Sequence, residues 1–315
     1  MPRSLLDKSL LYVTGKGGVG KTTVAASIGL AAAARGKRTI VCEVAEQDRV
    51  SRAFAREGVR REVEVQLAPN LFAISIDPEK ALEEWLARQL GHLGAGAFKT
   101  LLRSSAFQYF VAAAPGAKEL ITIAKVWELA QPERWDHHNR AYDLVVVDAP
   151  ASGHGLAMLS TPRTYAEIAR VGPVKRQAAK VADLLADPER TAYVAVALPE
   201  EMPVNETLEL GGRLREAVGL DLDAVVVNGL YPERYSSGDA ELLRHAARDG
   251  LDPSAEQSVR AALSEHERAR AQRVHLRRLR RGVDAASVLT LPFLFEPEVG
   301  LAQYGQLARE LDRGL

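Results

Sequence analysis

The chain is poor in cysteine, in aromatic residues and in net charge, and each shortage excludes something. Cys42 is the single cysteine in 315 residues, so neither an intrachain disulfide framework nor a cysteine-rich zinc site can be built. Lysine plus arginine number 41 and aspartate plus glutamate 41, so no long-range field draws the whole molecule toward DNA or an anionic membrane. Aromatic residues make up only 6% of the chain. Apolar runs such as Val24 to Ala34 fall well short of the ~20 residues of a spanning helix. Asp7 and Lys8 interrupt the apolar region that a secretory leader would need, and a cytoplasmic protein is expected. What is present, 47% hydrophobic and 26% charged residues, suits a folded, helix-rich protein.

Short β-branched runs alternate with longer Ala/Leu/Arg-rich segments of helical period, the pattern of βαβ units on a doubly wound, mostly parallel sheet. Strands are expected at Leu10–Thr14, Thr39–Glu43, Leu71–Ile76, Leu144–Asp148, Tyr193–Leu198, Ala224–Asn228 and Val288–Leu291. Two regions break the rhythm. Between Pro78 and Asn139 only helices are read, carrying Trp85, Phe98, Phe107, Tyr109, Phe110 and Trp127. From Asp252 to Arg281 runs one long arginine-rich segment, with Val274, Leu276 and Leu279 as its packing residues. With no repeat and no low-complexity linker, residues 1–315 read as one domain with a helical insertion at 78–139.

The first strand runs into Gly15-Lys16-Gly17-Gly18-Val19-Gly20-Lys21-Thr22-Thr23 and then an Ala-rich helix. This G-x-x-x-x-G-K-T spacing, in its strand–loop–helix context, is a phosphate-binding loop. Glycines let backbone N–H groups wrap a polyphosphate while the new helix turns its positive end to the same anion. Lys21 is expected on the β- and γ-phosphates of ATP, and the Thr22 hydroxyl on Mg²⁺. Tyr142 to Asp148 is an apolar strand closing on a carboxylate suited to Mg²⁺ through its water shell. Asn228 offers an amide that fits the adenine edge, and equally fits a turn at a strand end. Pro292 and Phe293 could pack on the base or simply end a strand.

The string GKGGVGKTT, with Lys16 as a second lysine, resembles the deviant loop of dimeric ATPases that include partitioning and division-site ATPases, the nitrogenase iron protein and the arsenite-pump ATPase. That resemblance implies a lysine reaching across the subunit interface to the partner's nucleotide. Ala149-Pro150-Ala151-Ser152-Gly153-His154-Gly155-Leu156 is similar to the second switch, D-x-A-P-x-G-H-x-L, of the arsenite-pump (ArsA) family and its tail-anchored-protein-targeting relatives. Here the proline sits one place earlier. YVAVALPEEMPVNETLEL at 193–210, Val226 to Leu230, and Leu291 to Leu294 with Glu296, Pro297 and Gly300 also resemble that family, whereas 79–139 and 236–285 match poorly. Through the resemblance His154 is a candidate sensor of the γ-phosphate; as a lone histidine it equally suits a structural hydrogen bond.

Where the family carries D-P-A-H in its first switch, this chain has Glu43-Val44-Ala45-Glu46. The retained carboxylate of Glu43 is the candidate to orient the attacking water, with Glu46 and Asp48 as nearby substitutes. The C-x-x-C zinc pair of the eukaryotic targeting members is absent, and Cys42 reads as a small buried hydrophobe. His137 and His138 have no spaced partners for a metal. Arg268, Arg270, Arg273, Arg277, Arg278, Arg280 and Arg281 form either a solvated helix face or a patch for nucleic acid, acidic lipid or an acidic client; without interleaved aromatics, single-strand binding is disfavoured. Residues 163–192 are crowded with charge and hold no methionine, so weak capture of a long apolar tail is expected.

The expected activity is Mg²⁺-dependent ATP hydrolysis by a dimeric switch, a homodimer or a heterodimer with a paralogue, that moves or holds a client. Two alternatives stay open: a partitioning-type ATPase cycling on DNA or membrane, and a weakly active nucleotide-binding subunit that pairs with a paralogue.

Overall fold

Near-continuous apolar runs lie at the middle of one eight-stranded sheet, ordered β3-β4-β2-β5-β1-β6-β7-β8. The strands are β1 (Leu10–Gly15), β2 (Thr39–Glu43), β3 (Val65–Ala68), β4 (Leu71–Ser75), β5 (Leu144–Asp148), β6 (Thr191–Ala197), β7 (Ala224–Leu230) and β8 (Ser287–Pro292). The computed structural model describes residues 4–44, 49–54, 63–90, 116–135, 140–169, 171–248, 250–283, 286–296 and 298–315. All seven expected strands form, and every neighbouring pair is parallel except β3 with β4. Strand β3 was not expected. It is a short antiparallel edge whose register shifts between Gln66 and Ala68.

The helices are α1 (Lys21–Ala34), α2 (Arg49–Ala53), α3 (Pro78–Leu90), α4 (Ala117–Leu129), α5 (Ser152–Ile168), α6 (Pro173–Leu185), α7 (Glu201–Val218), α8 (Ser237–Ala246), α9 (Pro253–Gly282) and α10 (Leu301–Asp312). Because strand side chains alternate, β1 serves two cores. Leu10 and Tyr12 enter a core shared with α4 to α7 and α9, while Leu11 and Val13 enter one shared with α1, Phe54 and α10. Buried residues run almost all round α1, which lies between the sheet and α10. Within 78–139, α3 starts where the Asp77 carboxylate accepts from the N–H groups of Glu79 and Lys80, with Pro78 at the first helical position. Trp85 is buried there and Trp127 packs against the core. Phe98, Phe107, Tyr109, Phe110, His137 and His138 lie outside the described residues.

The arginine-rich segment is a single helix, α9, capped by the Asp252 side chain. Leu276 and Leu279 are buried as expected, but Val274 is exposed. Two residues before Leu276 means about 200° around a helix, so Val274 faces away from the packing stripe. Among the described residues no helix is long and apolar enough to cross a membrane.

A charge network around buried Arg134, Glu128 and Lys125 ties α3 and α4 to the segments entering β3 and β5. Arg134 donates to Glu128 Oε1 at 2.6 Å and to Glu64 Oε1 at 2.5 Å. Lys125 pairs with Glu84 at 2.6 Å and with Glu128 at 2.9 Å, and the Tyr142 hydroxyl donates to Glu64 at 2.8 Å. Burial pushes the Glu128 carboxyl up, but hydrogen bonding and charge from Arg134 and Lys125 outweigh it and hold the group below its ordinary 4.5. A depressed carboxyl contributes stability above its unfolded pKa and loses it as pH falls through the folded value. Arg134→Met leaves two carboxylates without their guanidinium, so urea denaturation at pH 7 should show a loss of about 3–5 kcal/mol. That deficit should shrink as the pH is lowered below 4.5.

Candidate functional site

The site forms at the carboxyl ends of β1, β2 and β5, where open α/β sheets bind ligands. At the end of β1, Gly15 has φ +144°, and a Cβ there would sit 2.3 Å from the carbonyl oxygen of Val196 on β6. The loop then turns out and back. Gly20, at φ +91°, starts α1, and a Cβ there would lie 2.3 Å from Asn228 Nδ2. Between them Val19 is buried in the α1 core, and its carbonyl accepts from Asn228 Nδ2 at 3.0 Å. No side chain caps α1, which leaves its first turn to an anion.

Strand register places the acidic groups. Glu43 and Asp148 are direct neighbours on β2 and β5, and Asp148 also lies opposite Val13 of β1. The Thr22 hydroxyl donates to Asp148 Oδ2 at 2.6 Å. Glu43 is 2% exposed, and its Oε1 accepts from the Val50 N–H of α2 at 3.2 Å. Lys21 Nζ lies over the loop and donates to the Lys16 carbonyl at 2.8 Å.

Gly17, Gly18, Gly20, Lys21, Thr22, Thr23, Glu43, Val44, Asp148 to Ala151 and Tyr304 line one cavity of about 550 Å³. Loop glycines, a lysine, two carboxylates and three hydroxyl-bearing residues thus border a common space. A hydroxyl beside a carboxylate is a hard oxygen donor set of the kind Mg²⁺ takes alongside phosphate, so the residues fit that ion.

Several expected residues stand outside the cavity lining. Lys16 pairs with Glu206 of α7 at 2.6 Å. His154 is exposed in the first turn of α5. Asn228 holds the loop from beneath, as described. Pro292 pairs with Leu230 at the end of β8. Phe293 stacks on Tyr231 with ring centroids 4.4 Å apart, and Phe295 meets both rings edge-on. Glu46 and Asp48 lie outside the described residues. Cys42 is fully buried, and burial pushes its thiol pKa far up. Tyr304, Glu206 and Tyr231 were not anticipated; each meets the site only through tertiary packing, with no local sequence signal.

The sequence profile of the anion-transporting ATPases matches residues 8–172 and 166–311. The chain belongs to the anion-transporting ATPase family. It is 32% identical over 269 residues to ATPase BagA of Mycobacterium tuberculosis, covering 83% of this chain and 75% of that protein. It is 27% identical over 263 residues to ATPase GET3 of Kluyveromyces lactis, covering 73% and 74%. The arsenical pump-driving ATPase of Acidiphilium multivorum is 27% identical over 250 residues, or 73% of this chain and 41% of that longer protein. ATP hydrolysis is therefore the activity, and the partitioning-type alternative is not favoured.

In this family member the loop closes without side chains at two contacts. Gly20→Ala meets both a left-handed φ and Asn228, and should lower stability by about 1–3 kcal/mol in urea denaturation. Adding Asn228→Ala should recover only the contact part, because the backbone strain stays.

Proposed function

We propose that the protein is a Mg²⁺-dependent ATPase switch that works as two protomers face to face across their nucleotides and moves or holds a client. The observation that carries this reading is the meeting of Glu43, Asp148 and Thr22 in one cavity with the phosphate loop. The loop N–H groups and Lys21 would bind the β- and γ-phosphates. Thr22 and Asp148 would hold Mg²⁺, which when bound supplies positive charge against the phosphate oxygens. Glu43, fixed by the Val50 N–H, would orient the attacking water and accept its proton. Asn228, Pro292 and Phe293 would border the base.

Lys16 fits a cross-interface role. Its pair with Glu206 is about one-third exposed on both sides, worth only about 0–1 kcal/mol, so release toward a partner's phosphates costs little. Hydrolysis would relax the segments after Glu43 and Asp148. For the client, the exposed large apolar side chains in the described part of 163–192 are Ile168, Val171 and Val174, set among charges. That supports weak capture of a long apolar tail. The arginine face of α9 supports nucleic-acid or membrane contact no more strongly.

Titration calorimetry with ATP tests the loop: Lys21→Ala should fold and lose binding by about 100-fold or more, since the phosphates lose their main counter-ion. Lys16→Ala should bind ATP normally yet fail to dimerise on ATP addition in light scattering. Unchanged behaviour of both variants would remove the loop assignment and the cross-interface role respectively.

Glu43→Gln keeps size and reach but cannot accept the water's proton. Its turnover should fall by about 100-fold or more with ATP affinity retained. A wild-type rate in this variant would move the role to another carboxylate.

A further inference from the structure

Tyr304 lines the cavity but has no part in this mechanism. Tyr304 comes from the first turn of α10, far along the chain from the loop and both switches. Helix α10 lies along α1, with Leu307 and Leu311, and Leu315 just beyond it, in the same core as Ile28 and Ala32. Tyr304 is 4% exposed and lines the cavity together with Thr23, Glu43 and Asp148. Its ring stacks on Phe54, just past α2, with centroids 5.3 Å apart and planes 30° from parallel. Its hydroxyl lies near the Thr23 side chain in the first turn of α1. The same short α2 supplies the Val50 N–H that fixes Glu43.

One side chain therefore brings its hydroxyl toward the start of α1 and lays its ring on Phe54, just past α2. We propose that Tyr304 is a positioning residue of the ATPase: it locks α2 against the phosphate loop, so that Glu43 stays aimed into the cavity. The physical logic is a lever. Val50 and Phe54 are four residues apart and share the α1 core with Tyr304. Loss of the stack frees Phe54 to shift, Val50 shifts with it, and the Glu43 carboxylate loses its fixed donor. Burial raises the phenol above its ordinary value, so the hydroxyl stays protonated across the working pH range.

The inference rests on reading the cavity as the ATP site, and the test separates the two. Wild type, Lys21→Ala, Tyr304→Phe, Tyr304→Leu and Phe54→Leu are compared by steady-state ATP hydrolysis, by calorimetric binding of a non-hydrolysable ATP analogue, and by thermal melting. Tyr304→Phe keeps the ring and its stack, so kcat should stay within about threefold of wild type and analogue affinity within about twofold. Tyr304→Leu also loses the stack and should fall about 30- to 100-fold in kcat, as expected for a catalytic group displaced by about an ångström. Phe54→Leu should reproduce the ring's share, and combining it with Tyr304→Leu should cost little more than Tyr304→Leu alone, because both act through one lever.

Wild-type kcat in Tyr304→Leu would overturn the proposal. So would a loss seen only as a higher KM with weaker analogue binding, or full additivity with Phe54→Leu. If Lys21→Ala binds the analogue as tightly as wild type, the ATP-site reading itself falls. If Lys21→Ala loses binding and the Tyr304 variants hydrolyse normally, only the lever falls.

Discussion

The structure depends on how tightly the phosphate loop is threaded through the sheet. The Val196 carbonyl on β6 and the Asn228 amide on β7 press on the loop's two ends, at distances where no Cβ fits. Between them Val19 plugs the loop into the α1 core. The loop is thereby fixed from below by strands and from one side by packing. Its N–H groups and the start of α1 have one direction left to face, outward over the ends of β1, β2 and β5. That single constraint brings the loop, Glu43 and Asp148 to one cavity.

The two acidic groups belong to different levers. Asp148 ends a central strand, and the chain beyond it enters α5, where the Tyr12 hydroxyl holds the Gly155 carbonyl at 2.9 Å. Glu43 ends β2 and is answered by α2 on the opposite face of the sheet. Strand register makes these residues neighbours, yet the helices that follow them pack into separate cores. Under the proposed function, a change at the γ-phosphate position would reach both faces of the sheet. The charges of Arg134, Glu128, Lys125 and Glu64 stiffen the face that carries α3 and α4.

Most of the sheet was legible because parallel strands buried on both faces leave unbroken apolar runs, as in Leu144 to Val147. The phosphate loop was legible because its chemistry is compressed into consecutive residues. Strand β3 escaped notice: it is four residues long, half-exposed at an edge and interrupted by Gln66, so it carries neither a run nor clean alternation. Tyr304 and Glu206 escaped for another reason. Their meaning arises from α10 bringing Tyr304 onto Phe54 and from α7 lying beside the loop, contacts spanning 250 and 190 residues of chain. Val274 was assigned to the packing face of α9 from composition, and helical phase decided otherwise.

The burial of Cys42 has a practical side. The thiol sits at zero exposure in the sheet, with burial pushing its pKa far up, so the reactive thiolate is scarcely populated and reagents cannot reach it. With no other sulfhydryl in the chain, the protein offers a chemically silent background for labelling. A cysteine introduced on exposed α9 or beside Lys16 would be the one site to take a dye or spin label. Distances between such labels could then test the proposed pairing of protomers without first stripping native thiols from the molecule.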